Sequence, residues 1–304
     1  MSHREGDPMP SLVEMCHENF IEGYESVSRV VPGGEVERIG GLTAVRSGMP
    51  GSSFNVVFGL NRPKSIAQVR DGIKRLFLRT NTEFQIVTLP ETLDELGPIL
   101  REMNLTEREV FPGMVLDPIP DATPSPREGF EIRQVRGSDE VADLLRTGAS
   151  GFATPPNYFD VWKAGILAGA SVPWSRGANY LGYVGGKPAA TSIRIRTGDI
   201  AGIYFVSTLP EFRRRGFGEA MTRRAITDGR KTGCTMSYLQ ASKMGRPIYE
   251  RIGFRVIEEY SEWKAKPRSE SIMESDSVSL RKPSLVQAPI RKISENSPSR
   301  PMVF

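Results

Sequence analysis

Cysteine and histidine are scarce in this chain, and their placement excludes several chemistries at once. The two cysteines, Cys16 and Cys234, lie far apart and belong to no spacing that suggests a metal site, which points to a reduced, intracellular protein. The two histidines, His3 and His17, both fall near the N-terminus, so a histidine base is excluded from the second half of the chain. No run approaches the ~18 apolar residues of a membrane span. The polar start, residues 1–7, lacks the apolar core of a secretory signal. The expectation is a cytoplasmic protein with no membrane partner. One-sided charge is missing too: 40 Lys and Arg stand against 36 Asp and Glu, a net of +4. That is mild for a dedicated nucleic-acid binder, which carries a basic face.

The 304 residues, 38% of them hydrophobic, suffice to bury a sizeable core and to form two domains. Leu12, Cys16, Phe20 and Tyr24 recur every four residues and mark one face of a helix that Pro32-Gly33-Gly34 ends. Strands are expected at 41–46, 54–58, 84–89 and 110–116. Helices are expected after residue 65, with Ile66, Val69, Ile73, Leu76 and Phe77 inward, and around Leu93, Leu96 and Leu100. Residues 117–126 carry prolines at 118, 120, 124 and 126 and read as a stiff linker. The first domain is therefore 1–120 and the linker 121–129. A second domain, 130–265, repeats the alternation of strand and helix. Beyond it, 266–304 is a Ser/Pro tail with basic pairs that cannot bury enough apolar area to order itself.

In the second domain, residues 130–135 read as a strand and 139–148 as a helix. Residues 151–174 are rich in aromatics, with Phe152, Tyr158, Phe159, Trp162 and Trp174. Residues 180–195 form a hairpin on Gly185-Gly186. A central strand, 199–207, contains Gly202, which marks a bulge or a close backbone approach. It runs into Arg213-Arg214-Arg215-Gly216-Phe217-Gly218 and a helix from about Glu219. The glycines let a ligand approach the backbone, and the helix start directs free N–H groups at the turn. Together with the arginines this is a site for phosphate or pyrophosphate. A second strand, 234–241, leads to a short helix ending Tyr249-Glu250-Arg251-Ile252-Gly253-Phe254.

At these residues the chain resembles the GNAT superfamily of N-acetyltransferases. The phosphate-loop pattern Arg/Gln-x-x-Gly-x-Gly/Ala is matched by Arg213, Gly216 and Gly218, and the Tyr-x-x-x-Gly-Phe element by Tyr249, Gly253 and Phe254. The likeness covers roughly residues 131–263. It is similar, more loosely, to the tandem subgroup in which a degenerate copy of the fold precedes the catalytic one. The loop at 61–65 has no glycine to match Gly216 and Gly218, and Pro63 removes a donor, so the first half cannot be expected to hold phosphate. The implied fold is α/β, two related halves each with a mixed central sheet flanked by helices.

The resemblance implies acetyl-CoA as the acyl donor and an amine as acceptor. The pyrophosphate would lie on the backbone of Arg214, Arg215, Gly216, Phe217 and Gly218, with Arg213 adding charge. The pantetheine arm would pair with Phe205, Val206 and Ser207, with a Val206 N–H near the thioester oxygen. Tyr249 would be the acid that protonates the departing thiolate. Ser242 stands where many relatives carry asparagine and would bind pantetheine, with Lys243 or Arg246 at the 3′-phosphate. No base stands out; Asp199, Glu258 and Glu259 are the available carboxylates, and a water relay or a partly neutral amine would also suffice. Direct transfer in a ternary complex is expected, since Cys234 has no histidine nearby for a covalent route. A non-catalytic acyl-CoA-binding regulator, and less so a nucleic-acid binder using the arginines and tail, are the rival readings.

Overall fold

A computed structural model describes residues 10–49, 51–121, 127–154 and 177–265. The linker prolines Pro124 and Pro126, the aromatic residues Tyr158, Phe159, Trp162 and Trp174, and the tail 266–304 lie outside the described residues. Helix α1 (Leu12–Ser28) begins at a capping box. Ser11 Oγ accepts the Glu14 N–H at 3.2 Å, and the Glu14 carboxylate accepts the Ser11 N–H at 2.7 Å. Cys16, Phe20 and Tyr24 are buried, as their four-residue spacing predicts.

The first half continues through β1 (Glu35–Ile39), β2 (Leu42–Arg46), β3 (Val56–Gly59), α2 (Ile66–Ile73), β4 (Gln85–Thr88), α3 (Leu93–Glu102) and β5 (Leu105–Leu116). Strand β1 was not anticipated from sequence, and β5 is twelve residues long. The second half comprises β6 (Phe130–Gln134), α4 (Ser138–Gly151), β7 (Gly177–Val184), β8 (Lys187–Thr197) and β9 (Ile200–Thr208). It continues through α5 (Phe217–Lys231), β10 (Met236–Gln240), α6 (Arg246–Ile252) and β11 (Arg255–Ala265). The hairpin glycines Gly185 and Gly186 have φ of 56° and 77°, the left-handed geometry of a tight two-residue turn.

The α/β class holds, but the halves do not keep separate sheets. The described strands form one mixed sheet in the order β1-β2-β3-β4-β11-β5-β10-β9-β8-β7-β6. Each half lends its last strand to the other. Strand β5 lies antiparallel to both β10 (Tyr238 opposite Val115) and β11 (Tyr260 opposite Phe111), while β11 also pairs with β4. Where β5 crosses, the Tyr238 and Tyr260 hydroxyls meet at 2.8 Å over Gly113.

Helix α1 locks this arrangement from one face. Phe20 and Tyr24 pack with Val45, Val56 and Phe58 of the first half and with Ile200, Tyr204 and Tyr238 of the second. Asn19 donates to the Ile195 carbonyl at 3.2 Å and to Thr197 Oγ1 at 2.8 Å, and the Tyr204 hydroxyl reaches Asn19. His17 pairs with Glu258 of β11. Of the two roles expected for Gly202, close approach is the observed one, since a Cβ there would collide with Asn19 and the Tyr204 ring. Helices α5 and α6 cover the opposite face, where Met221, Ala225 and Ile252 pack on Ala201, Ile203 and Leu239. No helix among the described residues is long and apolar enough to cross a membrane.

Because the exchanged strands make the halves one cooperative body, a single unfolding transition is expected by circular dichroism and by tyrosine fluorescence. A Cβ at Gly113 would stand 2.7 Å from the Tyr260 ring and 2.9 Å from the Tyr238 hydroxyl. Gly113→Val should therefore destabilise by ~1–3 kcal/mol and lower that one transition as a unit. Two separated transitions, with only one moved, would show the halves to be independent.

Candidate active site

The site begins with a parting of strands. Strands β9 and β10 run parallel through Met236 opposite Ile200, Ser237 opposite Ala201 and Tyr238 opposite Gly202, and their pairing stops there. Beyond it β9 follows β8 and β10 follows β5. Phe205 has φ 53°, an unfavourable value for a residue with a Cβ, and the β8–β9 register slips between Thr191 and Ile193. The bulge thus sits at Phe205 and Val206, beside the gap. Thr191 braces it by donating to the Phe205 carbonyl at 2.7 Å. A cavity of about 1050 Å³ opens here, walled by Phe205, Val206, Ser207, Gly216, Ser242 and Tyr249 among others.

At one mouth of this cavity lies the arginine–glycine loop. Helix α5 starts at Phe217, two residues before the expected Glu219, with Gly216 as its N-cap at φ 78° and no side chain capping it. Its first internal bond runs from the Ala220 N–H to the Gly216 carbonyl at 3.1 Å. The N–H groups of Phe217, Gly218 and Glu219 therefore lack a partner within the helix. The two glycines are needed for different reasons. Gly216 has the left-handed backbone that L side chains resist, and the Arg127 guanidinium sits over it, 2.9 Å from where a Cβ would be. Gly218 has no positive φ, and a Cβ there would meet only Thr208 Oγ1, at 3.7 Å. The protein's own packing does not require that glycine, so its smallness leaves open space in front of the helix N-terminus.

The three loop arginines part company. Arg213 spends its guanidinium inside the protein, donating to the Thr208 carbonyl at 3.0 Å and the Gly151 carbonyl at 2.7 Å. It shapes the loop more than it offers charge. Arg214 takes a left-handed φ of 62° and lines the cavity, while Arg215 lies over the Phe217 ring at 4.8 Å, outside the lining. Arg127, which no motif singles out, brings a cation to the same loop. Lys243 lines the cavity, whereas Arg246 does not and pairs instead with Glu250 at 2.8 Å.

Tyr249 projects from α6 into the cavity wall, beside Gly245 and with its ring 6.0 Å from that of Phe254. It is 8% exposed, and burial pushes its phenol well above the ordinary tyrosine range. The hydroxyl therefore keeps its proton at any working pH and stands at the cavity wall as a donor. The Ser242 hydroxyl accepts the Gly245 N–H at 3.1 Å, holding the turn into α6 while it lines the cavity.

None of the carboxylates available from sequence reaches this cavity. Asp199 sits at the far end of β9, where its carbonyl accepts the N–H groups of Thr235 and Met236. Glu258 is held by His17, and Glu259 is exposed. The acids on the lining are Glu219 and Glu109. Both cysteines are buried, and burial raises their thiols, Cys16 to about 12, so neither supplies a thiolate nucleophile.

The two glycines predict opposite responses in the free protein. Gly216→Ala should cost ~1–2 kcal/mol for its left-handed backbone. Gly218→Ala should leave stability within ~0.5 kcal/mol. Thermal denaturation of both variants checks this, and an equal loss in both would mean that Gly218 is a packing residue.

The comparisons with known proteins agree with this geometry. Residues 131–257 match the model of the Acetyltransferase (GNAT) domain. No curated protein matches the sequence. Among solved structures, a GCN5-related N-acetyltransferase from Kribbella flavida is 16% identical with a TM-score of 0.62, covering 84% of this chain and 98% of its own. A GCN5-related N-acetyltransferase from Sphaerobacter thermophilus is 18% identical with a TM-score of 0.54, covering 83% and 90%. A functionally unknown conserved protein from Staphylococcus epidermidis is 16% identical with a TM-score of 0.55, covering 78% and 96%. At such identities the structures establish the fold, here shared across both halves, and the family model adds the class of chemistry. Over residues 131–257 this chain matches the acetyltransferase (GNAT) domain, on a fold that it shares with GCN5-related N-acetyltransferases.

Proposed function

We propose that the protein is an acetyl-CoA-dependent N-acetyltransferase that moves the acetyl group directly to an amine in a ternary complex. The observation that carries this reading is the open space before Gly218, which faces unpartnered N–H groups and leads into the cavity between β9 and β10. The residues there fit a nucleotide pyrophosphate and a long amide-bearing arm. When bound, the CoA thioester supplies an acetyl group activated for attack by nitrogen.

The chain's own residues divide the work. The N–H groups at 217–219 and the positive end of α5 hold the pyrophosphate, with Arg214 and Arg127 adding charge. The arm takes the place of a missing strand alongside Phe205, Val206 and Ser207, where β10 has turned away. The Val206 N–H beside the bulge orients and polarises the thioester oxygen, a role whose loss typically costs ~10²–10³-fold. Ser242 and Lys243 line the adjoining wall. Tyr249 Oη, kept protonated by burial, gives its proton to the leaving sulfur.

Titration with acetyl-CoA, followed by heat and by thermal shift, tests the reading. At ~100 times Kd the wild type should gain ~2.7 kcal/mol, and Gly218→Val should lose the response while keeping its free-state stability. Tyr249→Phe should retain acetyl-CoA binding and lose ~10²–10⁴-fold in kcat. Wild-type binding without transfer to any amine would replace this reading with the acyl-CoA-binding regulator.

A further inference from the structure

The cavity has a second end, on the other face of the sheet from α5 and α6. Alternation along β5 puts Glu109 on the same face as Phe111, which packs under α1. Along β10 it puts Gln240 on the face of Tyr238. Both residues line the cavity. Gln240 is 3% exposed, and its amide lies beside the Tyr204 and Tyr238 hydroxyls, yet neither amide atom makes a hydrogen bond of ordinary length and angle among the described residues. Glu109 Oε2 is likewise buried without a partner.

The neighbouring charges are otherwise matched. Glu262, opposite Glu109 on β11, is bonded to Lys264 at 2.9 Å. Glu219, the other acid of the lining, is held by Arg223 at 2.9 Å and lies 3.8 Å from Arg251. Glu109 is thus the carboxylate of the lining with an oxygen left over. Buried polar groups without partners are costly and rare, and two on one cavity wall call for a ligand that completes them. Gln240 Nε2, a donor, lies toward the Tyr204 and Tyr238 hydroxyls, so what the cavity has to supply is donors for Glu109 Oε2 and Gln240 Oε1, the pattern presented by a primary ammonium group.

We propose that Glu109, carried on the strand that the first half lends, is the acceptor-side base, and that with Gln240 it selects a protonated primary alkylamine. This rests on the acetyl-transfer reading above. The ammonium gives one proton to the Glu109 carboxylate, and its freed lone pair forms the C–N bond as the C–S bond breaks. The second proton that nitrogen loses restores, through solvent, the one Tyr249 gives to sulfur. Glu109 later releases its own to solvent. Burial, then the Glu262 charge, raises the Glu109 carboxyl above the ordinary range, against the pull of Lys264 and Lys243. A raised pKa makes it a better base near neutrality.

The test uses the full chain with acetyl-CoA and three kinds of probe. These are alkylammonium compounds (butane-1,4-diamine and 2-phenylethylamine), the matched alcohol 2-phenylethanol, and 4-methoxyaniline, whose nitrogen is already neutral at pH 7. The wild type should bind and acetylate an alkylammonium probe in preference to the alcohol. Its kcat/KM should fall as pH drops through a value above the ~4.3 of an ordinary glutamate. Glu109→Gln should keep its melting temperature and acetyl-CoA affinity, lose ~10²–10⁴-fold in kcat with the alkylamine, and lose the acidic limb of the profile. Transfer to 4-methoxyaniline should suffer less, because that nitrogen needs no base. Equal losses with both amines, retained alkylamine transfer, or acetyl-CoA binding with no alkylammonium probe bound or acetylated would each overturn the proposal. Failure of the wild type to bind acetyl-CoA would overturn the transferase reading instead.

Discussion

Strand β5 hydrogen-bonds to β10 on one edge and to β11 on the other, and the geometry of the cleft follows from that double pairing. A strand has one ladder on each side. With β10 drawn to β5 along Ser237–Gln240 and β9 drawn to β8 along nearly its whole length, the two can share only three residue pairs before they separate. The separation leaves backbone donors and acceptors facing a gap in place of a partner strand. In a buried sheet such groups are costly, and here they border the cavity. The bulge at Phe205, with its positive φ, adds local strain at the same point and is held by Thr191 and by packing against Phe152.

The cleft passes through the sheet, and its two ends differ in charge. On the α5 side, helix N-terminal N–H groups meet Arg214 and Arg127, an environment for a polyanion. On the α1 side, Glu109 and Gln240 offer acceptors with no donor to meet them among the described residues. Arg213, the first residue of the phosphate-loop pattern, works by a different route from its neighbours. Its bonds to Thr208 and Gly151 tie the loop to the end of β9 and to α4, so it fixes where the N–H groups point. The first half, which has no phosphate loop of its own, contributes the strand that opens the cleft and a carboxylate that lines it.

Much of this was legible because it depends on short-range chemistry. The four-residue spacing of Cys16, Phe20 and Tyr24 specifies a helix face, and Gly185-Gly186 specifies a tight turn. Arg213, Gly216 and Gly218 mark a tight turn into a helix, and Gly216 there takes the left-handed backbone that favours glycine. Tyr249 was recognisable from its place before Gly253 and Phe254, and the structure puts it on the cavity wall. Spacing within one segment carried each of these.

The exchange of closing strands, the bulge at Phe205 in place of Gly202, and the arrival of Glu109, Gln240 and Arg127 at the site were not legible in that way. Each depends on which strand pairs with which, and that is settled by long-range burial and the satisfaction of backbone hydrogen bonds over the whole sheet. Glu109 reads in sequence as one acid in a charged stretch, Glu107-Arg108-Glu109. It becomes notable only when β5 lies beside β11 and its oxygen loses water without gaining a donor. The sequence by itself determined the fold class, the tight arginine–glycine turn and the short helix that carries Tyr249. Tertiary structure decided how the halves join, where the strands part and which carboxylate faces the cavity, because a residue's chemistry is local while its solvent exposure and partners belong to the folded whole.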